Sequence, residues 1–465
     1  MQARLRRSPS IIQEELMDYF HSQAIKYNLI HYTSEGIKHL HLTRLQLSII
    51  QTEKLRAIIQ FAQTHSEWYR DKIGHLDPQK ISLSNFHDHI PILTKKELVN
   101  NWNQICTDKE LKKEDIEAFI QSEEKNIDSS YLYQGKYHII STSGSSGYAG
   151  IFAYNDDEWS RYCSQFTRLI GYKKMSFKKV AELTVKSNLF AAPRSISTII
   201  PSHLEHKRFN YLDSTKECNL ILNQMMPDLV MTLPSILKKL CFEKESGRLL
   251  IEPKTIRVSA EPLNTSLRSR CEKIFPDSTV ENTYAGSEGF SAFNCSKNKN
   301  KLHLSEDFGL FEIYRDKGLV FTNLWQKTLP LIRYQIDDNL IEINEHRCPD
   351  CGLYFKSIKE PQGRLSNNFE FANGSKITAL ELTEIMNHYP FIPEYQIIQS
   401  EDGFTVLIEC SNDHRLIELR HSLNRLALKK ELSPERICIK ICAKIERQKS
   451  GKIKQYVPLS LTELP

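Results

Sequence analysis

Seven small residues in a row, Ser141-Thr142-Ser143-Gly144-Ser145-Ser146-Gly147, carry five hydroxyls and two glycines and nothing that a packed core would bury. Glycine tolerates positive φ, so successive backbone N–H groups can turn to one side and form a concavity for an anion. The hydroxyls add donors without formal charge. This is the composition of a phosphate cradle, but not of the Walker type, because no Gly-Lys-Ser/Thr follows the last glycine. A flexible Ser/Gly linker has the same composition. Strand-like Tyr137-His138-Ile139-Ile140 before the run, and bulky Tyr148 and Ile151-Phe152-Ala153-Tyr154 after it, point instead to an ordered loop.

Four further stretches carry groups able to do chemistry. In Asn282-Thr283-Tyr284-Ala285-Gly286-Ser287-Glu288-Gly289, two glycines flank a Ser-Glu pair behind an aromatic residue. Glu288 is either an exposed turn acid or a ligand for a divalent ion that bridges phosphates, since Mg²⁺ binds through one or two carboxylates plus phosphate oxygens. In Leu329-Pro330-Leu331-Ile332-Arg333-Tyr334-Gln335-Ile336-Asp337-Asp338 two acids end an apolar run, as where a strand enters a polar turn. The tail Glu446-Arg447-Gln448-Lys449-Ser450-Gly451-Lys452-Ile453-Lys454 reads by composition as a solvated basic loop. Finally, His346-Arg347-Cys348-Pro349-Asp350-Cys351-Gly352 holds two thiols at zinc-knuckle spacing. Zinc takes four ligands, and Cys295 and His303 are the third and fourth candidates, with His346 in reserve. A reactive disulfide is the competing reading, but the context is not thioredoxin-like.

These groups need elements to hold them. Apolar residues at helical spacing in Ile11–Met17, Leu45–Gln51 and Leu55–Ala62 make residues 1–75 a helical N-terminal region. Thr94 and Glu97 form a capping-box pair. From Tyr137 to Gly363 short strands (Lys179–Val185, Leu229–Thr232, Thr255–Ser259, Gly318–Thr322) alternate with helical stretches such as Leu267–Phe275, which predicts an α/β core over residues 76–363. Residues 364–465 read as a small α+β domain: a helix at Leu380–His388, strands at Tyr395–Ile398 and Phe404–Cys410, a helix at His414–Leu432 and a strand at Ile437–Ile445. The net charge of +5 is too small to imply a nucleic-acid or membrane partner. No apolar run approaches the ~20 residues that span a bilayer, no signal-peptide pattern follows the basic start, and most of the eleven cysteines are scattered singly. A cytoplasmic protein is expected.

Taken together, the motifs resemble those of the adenylate-forming ligases, in that family's order. Thr142-Ser143-Gly144-Ser145-Ser146-Gly147 is similar to its phosphate loop, Ser259-Ala260-Glu261-Pro262 to its Gly-Ala-Glu-Pro turn, and Tyr284-Ala285-Gly286-Ser287-Glu288 to Tyr-Gly-x-Thr-Glu. Arg333–Asp338 is similar to Arg-Tyr-x-Thr-Gly-Asp, Gly363-Arg364 to the start of the hinge, and Ser450-Gly451-Lys452 to the lysine loop. Early Trp68-Tyr69-Arg70, Pro91-Ile92-Leu93-Thr94-Lys95 and Leu302–Asp307 resemble the phenylacetate–CoA ligase-like, CapK-like branch.

The resemblance implies a large N-terminal adenylate-forming domain with a helical extension and a small α+β C-terminal lid. It implies ATP across Thr142–Gly147, the adenine near Ala260, Glu261, Pro262 and Tyr284–Ser287, the ribose on Asp338, and Mg²⁺ on Glu288. Catalytic roles fall to Lys452, Glu288 and Arg364, with Lys454 the neighbour most easily confused with Lys452. Some relatives carry a structural metal, here on Cys295, His303, Cys348 and Cys351. The implied reaction adenylates a carboxylic acid, aromatic acids being favoured, and passes the acyl group to a thiol, usually coenzyme A. Transfer to an amine or a carrier-protein thiol, AMP transfer to a hydroxyl, and a non-catalytic nucleotide-binding or zinc-organised interaction module are the alternatives.

Three positions depart from the pattern. Ser366 and Asn367 stand where the hinge carries acids, so an interaction specific to one lid orientation would be lost. Asp337 replaces a glycine, and Tyr148-Ala149-Gly150 lacks the lysine often found after the phosphate loop.

Overall fold

The computed structural model describes residues 9–123, 132–142, 150–170, 177–184, 187–200, 203–211, 214–340, 343–361, 363–389, 391–392, 394–409, 416–448 and 453–459. A nine-stranded sheet organises the large domain, in the order Ile343–Asn344, Ser357–Ile358, Leu302–Leu304, Ser291–Asn294, Thr279–Ala285, Thr255–Ser259, Leu229–Thr232, Lys179–Leu183, Glu205–Phe209. The five strands from Thr279–Ala285 to Glu205–Phe209 are parallel and the other four antiparallel. Parallel neighbours need crossovers, and the helices Ala191–Ile199, Thr215–Met225, Pro234–Glu245 and Thr265–Ile274 supply them.

Side-chain alternation divides the two faces of this sheet. Ala181, Leu183, Val230, Ile256, Val258 and Val280 pack with Leu222, Ile236, Leu237, Leu240 and Cys271 of the crossover helices in one apolar cluster. Val180, Glu182, Leu229, Met231, Arg257 and Ser259 instead line a cavity on the opposite face. That cavity is where the chemistry-bearing segments meet.

The N-terminal region is helical as expected, in Pro9–His39, Arg44–His65 and Glu67–Ile73. Capping boxes at Thr43/Gln46, Thr94/Glu97 and Thr378/Glu381 satisfy the first free N–H groups of three helices. A buried acid pair ties the long first helix and the one after it to the core. Arg168 Nη1 lies 2.7 Å from Asp307, with neither side chain exposed, and His39 Nδ1 lies 3.1 Å from the same carboxylate. Arg44 reaches Glu306 at 2.8 Å. Burial pushes the Asp307 carboxyl up, but Arg168 and His39 outweigh it and hold the group below its ordinary value.

A four-stranded sheet, in the order Ile437–Ile441, Gly403–Glu409, Glu394–Ser400, Tyr456–Val457, forms the lid with helices Ala379–Asn387 and Leu416–Lys429. Phe369, Leu382, Ile397, Phe404, Val406, Leu419 and Leu423 fill its core. Two details differ from the sequence reading. The Ile437 strand ends at Ile441, because the chain then turns to bond Cys442 N–H to Ile408 O and Ile445 N–H to the Glu409 carboxylate. Tyr456–Val457 adds a short parallel strand beside Ile397 and Ile398, which two residues are too few to announce. No helix among the described residues is long and apolar enough to cross a membrane.

Candidate active site

The hydroxyl-rich loop springs from a hairpin. His138–Ser141 pairs antiparallel with Ile151–Tyr154, and its neck is closed by Thr142 N–H to Gly150 O at 3.0 Å and Gly150 N–H to Thr142 Oγ1 at 2.7 Å. Thr142 lines the cavity. Ser143, Gly144, Ser145, Ser146 and Gly147 lie outside the described residues, as does Lys452.

Tyr284–Gly289 leaves the Thr279–Ala285 strand and is held from three sides. Tyr154 OH donates to Ser287 O, Asn323 Nδ2 to Glu288 O at 3.1 Å, and Gln165 Nε2 to Gly289 O at 2.9 Å. Gly286 permits the tight turn: a Cβ there would enter the space of the Phe290 ring and of Glu288 Oε2. Gly286→Ala is therefore expected to cost about 1–3 kcal/mol of unfolding free energy through overpacking, measured by urea denaturation. A midpoint equal to that of the parent would contradict the crowding.

The end of the Tyr334–Ile336 strand meets this loop. Tyr284 OH donates to Asp338 Oδ2 at 2.7 Å, and Arg364 Nε stands 3.5 Å from Asp338 Oδ1. Asp338 and Arg364 also pair as an isolated antiparallel bridge. In the Ser259–Pro262 turn, Ala260 adopts φ +70°. The Glu261 carboxylate turns to the Pro234–Glu245 helix, where it accepts from Ser235 N–H at 2.9 Å and Ser235 Oγ at 3.1 Å. That contact fixes the turn against the first helical residues, a favourable place for an acid.

A cavity of about 910 Å³ receives all of these. Thr142, Ala260, Glu261, Pro262, Tyr284, Ala285, Gly286, Ser287, Glu288, Asp338 and Arg364, every described residue that the motifs predicted for nucleotide, magnesium or catalysis, line it. Ile453 and Lys454 of the lid, which flank Lys452 on one side, line it too. Its electrostatics are mixed. Burial pushes the Glu288 carboxyl up, and Asp338 adds to this, while Lys95 and Arg364 oppose it. Burial pushes the Tyr284 phenol far up, as do Asp338 and Glu288. Burial and Arg364 push the Lys95 ammonium down, against Glu288 and Asp337.

Lys95 is the residue that sequence reasoning missed. It follows Thr94 in a quoted motif and does not line the cavity, yet a long-range contact brings its charge to bear on Glu288 and Asp337. Leu93 N–H bonds to Arg333 O at 2.9 Å and Gln335 N–H to Leu93 O at 2.9 Å, laying the start of the Lys95–Asn100 helix against the Tyr334–Ile336 strand.

Away from the cavity, Cys295, His303, Cys348 and Cys351 place their ligand atoms within 4.8 Å of one another. Cys295 Sγ and Cys348 Sγ are 4.0 Å apart, and Cys351 Sγ lies 3.2 Å from His303 Nε2. Zinc–sulfur bonds of about 2.3 Å in a tetrahedron give edges of roughly 3.8 Å, so the group fits a four-coordinate ion with little adjustment. His303 Nδ1 is engaged by Phe355 O at 3.1 Å, which leaves Nε2 as the ligand nitrogen, and burial favours the neutral ring. Burial raises the Cys348 thiol, but the N–H groups of Cys351 and Asp350 together with the Cys351 and Cys295 thiols outweigh it and bring the group below its ordinary value. His346 is not in the cluster.

Comparisons with known proteins agree with this architecture. No family model matches the chain. Protein CapK of Staphylococcus aureus is 23% identical over 428 residues, covering 87% of this chain and 88% of that protein. A solved structure of 2-hydroxyisobutyryl-CoA ligase in the postadenylation state, in complex with 2-HIB-AMP, superimposes with a TM-score of 0.70 at 16% identity, covering 90% of this chain and 91% of that one. The same ligase with 2-HIB-AMP and CoA in the thioesterification state gives 0.56, at the same identity and coverage. A large α/β domain, a helical N-terminal extension and a small α+β lid thus give this chain the fold of the adenylate-forming acyl-CoA ligases.

Proposed function

We propose that the protein uses ATP to adenylate a carboxylic acid and passes the acyl group to a thiol, coenzyme A being the first candidate. One observation carries the reading: three segments far apart in sequence, Tyr284–Glu288, Asp338 with Arg364, and Ala260–Pro262, open on one cavity at the neck of the hydroxyl-rich loop. The nucleotide's phosphates would be received by Thr142 and the loop to Gly147, and its ribose by Asp338, whose two oxygens suit a pair of hydroxyls. Glu288 would hold Mg²⁺, which bridges phosphate oxygens and offsets their charge when bound.

A substrate carboxylate oxygen then bonds to the α-phosphorus as the bond to the bridging oxygen breaks and pyrophosphate leaves. Arg364 and Lys452 offset the negative charge that gathers there, and the cavity walls hold the reactants in line. The acceptor thiolate next attacks the acyl carbon and AMP departs. Tyr162, Phe166, Phe190, Ile196 and Met231 on the cavity wall favour an apolar, aromatic acyl group. The lid, taken to begin at Arg364, carries Lys452 to the cavity. The cysteine–histidine cluster would bind one structural Zn²⁺, since all four positions are filled by protein and none is open.

A panel of carboxylic acids, tested for acid-dependent exchange of labelled pyrophosphate into ATP, decides the first half-reaction. No exchange with any acid would overturn it and leave a nucleotide-binding or interaction module. Mass analysis of the product with coenzyme A, an amine or a carrier protein identifies the acceptor. Lys452→Ala is expected to lower exchange by about 10²–10³-fold, the scale of losing one charge-stabilising group. Undiminished exchange would refute that lysine's role.

A further inference from the structure

Two positions that depart from the family pattern, Asp337 and Ser366, meet in space. Asp337 Oδ2 accepts the Ser366 N–H at 3.0 Å. Burial pushes the Asp337 carboxyl up on balance, while the Ser366 side chain and N–H and the Arg364 charge pull toward the ionised form. The backbone reinforces the contact. Leu365 N–H bonds to Asp337 O at 2.9 Å, and Asn339 N–H to Gly363 O at 2.8 Å. The Leu365–Asn367 turn opens the lid segment, just ahead of its core: Asn368 Oδ1 accepts the Ala379 N–H, and the Phe369 side chain is already in the lid's core.

On the far side of the cavity the lid is held to the large domain again. Lys239 Nζ lies 3.4 Å from Glu394, Asn264 Nδ2 donates to Asn387 at 3.1 Å, and Lys238 Nζ donates to Ile392 O. The whole-chain superposition is closer on the postadenylation form of the solved ligase than on its thioesterification form.

We propose that Asp337 is a positioning residue that latches the hinge in the lid orientation seen here, with Ser366 as its matched partner. A charge-assisted hydrogen bond across a hinge must break when the linker dihedrals change, so it favours the orientation that forms it. Matching explains both substitutions together. An acid at position 366 would face the Asp337 carboxylate and repel it, whereas serine keeps the backbone N–H bond and adds a hydroxyl donor. Asp337 lies one residue from Asp338, so the latch joins the nucleotide end of the cavity directly to the moving segment.

Hydrogen exchange of the Ser366 amide in the full chain tests the latch without any substrate. Asp337→Ala is expected to speed that exchange by about tenfold or more, and Ser366→Asp to do so at the same amide. Asp337→Asn, which keeps an acceptor oxygen but loses the charge, is expected to fall between the parent and Asp337→Ala. Equal exchange in the parent and Asp337→Ala overturns the latch.

The functional consequence rests on the adenylation reading. Asp337→Ala should slow pyrophosphate exchange several-fold while leaving acyl transfer from preformed acyl-adenylate unchanged or faster, and Asp337→Asn should recover the parent ratio only in part. An equal fall in both half-reactions overturns the positioning role. If the parent shows no acid-dependent exchange at all, the adenylation reading fails, and the amide measurement alone decides the latch.

Discussion

Glu288→Gln is expected to lower acid-dependent pyrophosphate exchange by about 10²–10³-fold while leaving the protein as stable as before or slightly more so. The two effects have one cause. Glu288 sits in the cavity wall, where burial and the nearby Asp338 carboxylate push its carboxyl above the ordinary range, with Lys95 and Arg364 compensating only in part. A carboxyl raised in the folded state disfavours the charged native form once pH exceeds its unfolded value, so ionisation at neutral pH opposes folding. A neutral amide of the same shape removes that penalty. It also removes the anionic oxygens that a magnesium ion and its phosphates require, so residual activity should demand far more Mg²⁺. Parallel measurement of exchange and of the urea midpoint checks both directions. Full exchange in the variant would end the assignment of Glu288 as the metal-binding acid.

The largest stability effect is expected at the cysteine–histidine cluster. Purified protein should contain about one zinc per chain, and Cys348→Ser should lower the unfolding free energy by at least about 3 kcal/mol with loss of that zinc. The cost follows from where the cluster sits. Cys295 leaves the Ser291–Asn294 strand, His303 lies on the neighbouring Leu302–Leu304 strand, and Ser357, just past the Cys348–Cys351 loop, pairs with His303. One ion would therefore tie three neighbouring segments at the antiparallel end of the sheet. Beside them Phe293 and Phe355 pack on Leu47 of the N-terminal helices, so loosening should spread to that extension. His346→Ala serves as the control, because His346 stands outside the cluster and should alter neither zinc content nor stability. Substoichiometric zinc together with an unshifted Cys348→Ser midpoint would reduce the four residues to ordinary packing.

Local features were legible in the sequence because local forces set them. The strand into the hydroxyl-rich loop, the Thr94–Glu97 capping box, the Thr265–Ile274 crossover helix and the Cys-x-x-Cys knuckle are each decided within a few residues, by dihedral preference, by the period of apolar side chains or by a single turn. Where they are described, the segments those motifs pick out line one cavity.

What lies between segments was decided only by the tertiary structure. The approach of His303 to the three cysteines depends on the register of one strand pair, the reach of Lys95 toward Glu288 on the bridge from Leu93 to Tyr334, and the Asp337–Ser366 contact on how the chain leaves the sheet for the lid. None of these leaves a periodic trace along the chain, because each is a meeting of side chains brought together by strand register and crossovers. The sequence determined the parts and their chemistry; packing of the two domains determined which charged groups must share one cavity, and so which of them become raised, lowered or paired.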